Sequence, residues 1–104
     1  MSREATVVEI DTETRLAALR RTYIGKLPSK VDALVELWRG DGSRDDLARL
    51  AHQLAGTSGS YGLMDVSEAS RAVLNAATDP SRAASDVTEA LEALTTAATR
   101  ASSD

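Results

Sequence analysis

The residue of this chain best suited to chemistry at neutral pH is His52, the only histidine among 104 residues. Neutral imidazole is abundant near pH 7, and a ring nitrogen can act as a nucleophile, a base or a metal ligand. The stretch around it, from Leu47 to Leu63, reads LARLAHQLAGTSGSYGL and has the apolar period of a helix. At roughly 100° per residue, His52 lies about 140° from Leu47 and faces away from the predicted buried stripe. That stripe consists of Leu47, Leu50, Ala51, Leu54, Ser58 and Tyr61.

Small and charged residues share the outward face with His52. They are Asp45, Arg49, Gly56 and Gly59. A glycine inside a helix lowers its stability by about 1 kcal/mol relative to alanine. Such a position is usually retained where another backbone must come close. We therefore expect a partner to approach the helix at His52.

Other chemistries fit the residues around His52 less well. A metal site needs several ligands, and the chain has neither a cysteine nor a second histidine, so we predict no metal. Ser58 and Ser60 are near in sequence, but a nucleophilic serine would need a strand–turn–helix context. The run GTSGSYG, residues 56–62, lacks the lysine of a phosphate-binding loop and the GxGxxG spacing of a dinucleotide site.

The string HQLAGTS at residues 52–58, followed by Gly62 and Leu63, resembles the signature of histidine-containing phosphotransfer (HPt) proteins. That signature has a histidine, any residue, leucine, often lysine, then glycine and small residues, with a further glycine about six residues on. Ala55 stands where many members carry lysine. Arg49, one turn before His52, is the local candidate for a cation near a phosphoryl group.

The resemblance implies a phosphocarrier of multistep phosphorelays in two-component signalling, not an enzyme. His52 would accept a phosphoryl group from the aspartate of one receiver domain and pass it to another receiver. The expected partners are response-regulator receiver domains and a hybrid sensor histidine kinase. Mg²⁺ would be bound by the receiver, and this chain would need no cofactor, ATP-binding region or autokinase region. The predicted contact patch is Asp45, Ala48, Arg49, His52, Ala55, Gly56 and Gly59.

Two alternatives belong to other functional classes. A single surface histidine is usually an ordinary solvated residue, so the chain could be a helical-bundle interaction module without phosphotransfer. It could also be a small hydrolase that uses His52 as a base. The glycines on the histidine face and the HPt-like string favour phosphotransfer over both.

Composition limits the class of protein. The length fits one domain with a single core. With no Phe, one Trp and two Tyr, packing depends on alanine and leucine, which suits helices. A net charge of −4 disfavours nucleic-acid binding, and no apolar run approaches the ~20 residues needed to cross a bilayer. The first residues, MSREATVVEID, lack the apolar core of a signal peptide, so we expect a cytoplasmic protein. We also expect it to be a monomer and to bind no membrane.

Apolar spacing predicts an all-α fold, an antiparallel up-down four-helix bundle with a short additional N-terminal helix. Residues 1–10 are expected to form an N-terminal lead and residues 11–104 the HPt-like bundle domain. Asp11 is the predicted N-cap of the first helix, and Leu27-Pro28 is expected to separate it from the next.

Cap signals place the remaining helices. Ser43, with Asp46 three residues later, is predicted to begin the His52 helix, and the chain should turn around Gly59 to Met64. Asp79-Pro80 is expected to end one helix and begin the last.

Overall fold

Four helices make up the fold, described by a computed structural model for residues 2–40 and 42–103, with side chains from residue 13 onward. They are α1 (Ser2–Gly40), α2 (Arg44–Ser60), α3 (Met64–Thr78) and α4 (Ala84–Ser103). No strand occurs in these ranges, which confirms the predicted all-α class. No helix in the described part of the chain is long and apolar enough to cross a bilayer.

Helix α1 continues through Pro28, so the predicted break at Leu27-Pro28 is wrong. Proline inside a helix removes one backbone hydrogen bond and costs about 3 kcal/mol. Here Pro28 is exposed, while one face of the same helix is buried on both sides of it. Burying that face outweighs the local penalty, because each fully buried large apolar side chain contributes about 1.5–3 kcal/mol. The buried residues on this face are Tyr23, Leu27, Val31 and Leu34.

The start of α1 also differs from expectation. The helix begins at Ser2, so Asp11 lies inside it and is not an N-cap, and no separate short helix precedes it. The backbone of residues 2–10, predicted as a lead, belongs to the same helix. Met1 and the side chains of Val7, Val8 and Ile10 lie outside the described residues.

Both ends of α2 follow from its sequence. The Ser43 hydroxyl accepts a hydrogen bond from the backbone N–H of Asp46 at 3.3 Å, so the predicted N-cap is confirmed. At the other end, Leu63 N–H donates to the Ser58 carbonyl at 2.9 Å and Gly62 N–H donates to the Gly59 carbonyl at 3.0 Å. This pair of backbone hydrogen bonds requires a residue in the left-handed backbone conformation, and Gly62 supplies it with φ of 75°.

The connection from α3 to α4 is longer than predicted. Asp79 follows the last residue of α3, and its Oδ1 accepts hydrogen bonds from the backbone N–H and the hydroxyl of Ser81. Asp79 therefore forms a side-chain turn instead of beginning α4, as short polar side chains often do before proline. Helix α4 begins at Ala84, where Asp86 Oδ2 accepts from the N–H of Ala83 at 3.0 Å.

Polar contacts hold α1 and α3 against the two ends of α2. At its beginning, the Arg44 guanidinium donates to the carbonyls of Ala76 and Asp79 at the end of α3. At its end, Tyr23 of α1 shares a buried hydrogen bond of 2.9 Å with Ser58. The Tyr23 ring also stacks on Tyr61, with 4.8 Å between ring centroids. Helix α2 is thus held at both ends, and its middle turn carries His52.

Candidate functional site

His52 is exposed in the middle of α2, as its place on the helix predicted. The buried residues of α2 lie on the opposite side and along one flank: Leu47, Ala48, Ala51, Leu54, Ala55 and Ser58. The imidazole makes no hydrogen bond or ion pair with any described residue. Its ring nitrogens are therefore free to react with a group presented from solvent.

Arg49 lies one turn before His52 and is engaged in an ion pair. Its Nη2 is 3.2 Å from Asp46 Oδ1, and the two side chains are 68% and 46% exposed. An exposed pair of this kind is worth less than about 1 kcal/mol, since water screens both charges. Arg49 can leave Asp46 at little cost, but at rest it points toward the beginning of α2.

Gly56, one turn after His52, has open space around it. It is exposed, and a Cβ built there would meet nothing within 4 Å. The fold itself therefore does not require glycine at this position. Bare backbone next to His52 leaves room for another protein, as expected where a glycine inside a helix permits close approach.

The other glycine of the predicted patch serves packing within the chain. Gly59 is half-buried, and a Cβ built there would lie 3.3 Å from Ser67 Oγ of α3. Helix α3 covers this flank of α2, so Gly59 lets the two helices approach closely. This packing role gives a reason for the glycine within the fold, and its place in the partner patch stays a prediction.

Ala48 and Ala55 of the predicted patch are buried, which is a correction to it. Their exposed fractions are 8% and 4%, because they too lie on the flank that α3 covers. Neither side chain is available to a partner. Asp45 is exposed, so the predicted patch residues left at the surface are Asp45, Arg49, His52 and Gly56.

Sequence reasoning missed Ser67, which ties α3 to the turn after His52. Ser67 is fully buried, and its hydroxyl donates a hydrogen bond of 2.9 Å to the Ala55 carbonyl. Serine at a position of apolar spacing is the signal that marks it, since a buried hydroxyl must find a partner. This bond fixes the backbone on which His52 is carried.

A groove between α1 and α2 lies beside the histidine and was also not predicted. Lys30 of α1 and Gln53, the residue after His52, line it together with apolar side chains. The Lys30 ammonium lies 5.7 Å from the centroid of the Tyr23 ring, a cation–π contact. The surface beside His52 therefore contains both a cation and apolar area.

Among the described residues, no group of three or more His, Cys, Asp or Glu side chains is arranged to hold a metal ion. A family model described as the Hpt domain matches residues 18–103, most of the chain. The chain belongs to the Hpt domain family. Comparison with curated proteins and with solved structures gave no match.

Hpt domains are phosphocarriers that act by histidine phosphotransfer in phosphorelays, where they interact with receiver domains and histidine kinases. The resemblance read from residues 52–63 is thereby confirmed over residues 18–103. The first part of α1 lies before the matched residues. Within the domain, His52 is the only side chain of the required type.

Proposed function

We propose that this Hpt domain shuttles a phosphoryl group between receiver-domain aspartates, with His52 as the phosphorylated residue. The observation that carries the proposal is the exposure of the only imidazole in a chain of this family. An exposed ring without an internal partner needs no rearrangement before it meets a receiver.

The transfer needs one nucleophile from this chain. An unprotonated ring nitrogen of His52 attacks the phosphorus of an aspartyl phosphate, and a P–N bond forms as the P–O bond to the carboxylate breaks. The carboxylate leaves with the electron pair, while the other ring nitrogen keeps its proton. A second receiver aspartate then reverses the reaction. The receiver would supply Mg²⁺, which neutralises charge on the phosphoryl oxygens.

The proposed docking surface is narrower than the sequence indicated. It consists of His52 with its exposed neighbours Asp45, Arg49 and Gly56. Gly56 offers bare backbone, and the α1–α2 groove that contains Gln53 adjoins it. The receiver loops that surround a phosphoaspartate would lie over Gly56, where a side chain would obstruct them.

Family membership supports a proposal for the upstream and downstream partners. We propose a hybrid sensor histidine kinase as the upstream source of phosphate and a response regulator as the final acceptor. An antiparallel up-down order of the four helices agrees with the contacts of Arg44 with α3 and of Tyr23 with α2. The monomeric state and the cytoplasmic location stay predictions from the sequence.

A phosphotransfer assay tests the role of His52. A receiver domain carrying radioactive phosphate is mixed with the wild-type chain or with His52→Gln, and the label on each is followed. We expect label on the wild type that is stable to alkali and labile to acid, and none on the variant. Label on His52→Gln would exclude His52 as the acceptor.

Two further arms separate the alternatives. Wild-type chain incubated with labelled ATP alone should stay unlabelled, since an Hpt phosphocarrier depends on a partner. If the chain binds a receiver but never acquires label, and His52→Ala binds equally well, the interaction-module alternative is favoured instead.

A further inference from the structure

A phosphoryl group on His52 would bring negative charge to an exposed ring, and few cations of this chain are near it. On α2 the closest is Arg49, which is paired with Asp46 at 3.2 Å. Transfer and retention of a phosphoryl group both depend on neutralising the charge of its oxygens. The neighbouring helix α3 carries one further cationic residue, Arg71.

Two contacts define the register between α2 and α3. Arg44 at the start of α2 donates to the carbonyls of Ala76 and Asp79, each at 3.3 Å. Ser67, near the start of α3, donates to the Ala55 carbonyl at 2.9 Å. The two helices therefore run in opposite directions. Because both rise about 1.5 Å per residue, the level of His52 on α2 corresponds to about residue 70 of α3, next to Arg71.

Arg71 also lies on the appropriate side of α3. It follows Ser67 by four residues, which turns it only about 40° from the direction in which Ser67 contacts α2. Ser67 is buried in that contact, whereas Arg71 is exposed. Arg71 is thus at the solvent edge of the α2–α3 contact. His52 occupies the matching edge of α2, since it is exposed and lies one turn before Ala55, which is buried, and Gly56, which is exposed.

The guanidinium of Arg71 is not committed to another group. It makes no hydrogen bond or ion pair with any residue in the described ranges, Glu68 one turn earlier included. Packed helices lie about 8–10 Å apart, a distance that an arginine side chain can span to reach a group on its neighbour. The planar guanidinium also matches phosphoryl oxygens with two parallel N–H donors.

We propose that Arg71 is a phosphoryl-binding residue, which donates hydrogen bonds from α3 to the phosphoryl group carried by His52. The inference rests on the proposed function of His52 and adds a second residue to it. Arg71 then provides a cation that is free to contact the phosphoryl group, whereas Arg49 would first have to leave Asp46. No local pattern in the sequence indicated this role, because Arg71 is far from His52 along the chain.

Initial rates of transfer from a phosphorylated receiver test the proposal. We expect Arg71→Gln to slow labelling by roughly tenfold or more, as for loss of a charge-assisted hydrogen bond, and Arg71→Lys to restore part of the rate. Arg82→Gln is the matched control, since it removes the same charge from a residue that pairs with Asp86 at 3.4 Å. Its rate should stay within about twofold of wild type.

The phosphohistidine itself gives a second readout that a structural role would not change. In ³¹P spectra the second ionisation of the phosphoryl group should occur at higher pH in Arg71→Gln than in wild type, because a nearby cation favours the dianion. If the phosphoryl group ionises at the same pH in Arg71→Gln and in wild type, and the transfer rates are also equal, the role of Arg71 is overturned. The role of His52 is unaffected by that result. A wild-type chain that acquires no label would overturn both.

Discussion

Ser67 of α3 donates a hydrogen bond of 2.9 Å to the carbonyl of Ala55, and both residues are buried. Ala55 lies one turn after His52, so this bond connects the turn that bears the imidazole to the helix that covers its flank. The carbonyl of Ala55 is already an acceptor within α2, and its second lone pair serves α3. The bond therefore connects the core to the backbone one turn after the proposed phosphorylation site.

Replacing Ser67 by alanine should destabilise the fold. The variant loses a buried hydrogen bond, so we expect the free energy of unfolding to fall by about 1 kcal/mol. Urea denaturation measures the change. Ser70→Ala is the control, because the Ser70 hydroxyl donates at 2.8 Å to Val66 within its own helix and joins no second helix. The interpretation fails if Ser67→Ala is no less stable than Ser70→Ala.

The glycines at positions 56 and 59 should respond differently to alanine. A Cβ at Gly56 meets nothing within 4 Å, so Gly56→Ala should raise the free energy of unfolding by up to ~1 kcal/mol through helix propensity. At Gly59 the new Cβ would be 3.3 Å from Ser67 Oγ, and crowding should cancel much of that gain. Denaturation curves of the two variants give the comparison. Equal stabilisation would show that α3 does not press on Gly59.

A large side chain at Gly56 should impair phosphotransfer without unfolding the chain. Gly56→Leu places bulk beside His52 on the surface proposed for the receiver, so we expect a transfer rate at least about tenfold lower with an unchanged far-UV spectrum. Gly25→Leu is the control, because Gly25 is also exposed on a helix with nothing within 4 Å of a Cβ. It follows the buried Tyr23 by two residues and so faces the opposite side of α1. Normal transfer by Gly56→Leu would exclude this docking surface.

Alkaline pH should weaken the contact between α1 and α2. Burial raises the pKa of the Tyr23 hydroxyl, although its hydrogen bond with Ser58 acts in the opposite direction. The unfolded chain then loses the proton first, at about pH 10, while the folded chain keeps it. The contribution of the protonated Tyr23 hydroxyl to the free energy of unfolding is therefore fully present below about pH 10. It is lost as pH rises through the pKa of Tyr23 in the folded chain.

Denaturation between about pH 9 and 11 measures this loss. Tyr23→Phe, which has no ionisable hydroxyl, should be less stable at neutral pH and should lose less stability over that range. If the variant loses as much stability as wild type, the alkaline effect comes from other groups.

Several features of the site could be derived from the sequence because they depend on neighbours along one helix. The apolar period of α2 placed His52 on the exposed side, and Ser43 with Asp46 located the beginning of the helix. The string from His52 to Gly62 indicated the family, which the match over residues 18–103 then confirmed. Each of these signals is local, within a few turns of the same chain.

Other features required the tertiary structure. The apolar period of α2 predicts which of its residues face away from the core. It does not predict which of those residues a neighbouring helix covers. Only the packing of the helices showed that the side chains of Ala48 and Ala55 are buried and that Gly59 lies close to Ser67 of α3. In the same way, the burial of one face of α1 carried the helix through Pro28, where local propensity predicted a break.

The sequence by itself thus determined that the fold is helical, that His52 faces solvent and that the chain resembles the Hpt family. The tertiary structure decided which residues accompany His52 at the surface and brought Arg71 of α3 to its level. The reason is physical: a residue's direction on its own helix is set by local geometry. What lies opposite that residue is set by the free energy of packing distant segments together, which no single segment encodes.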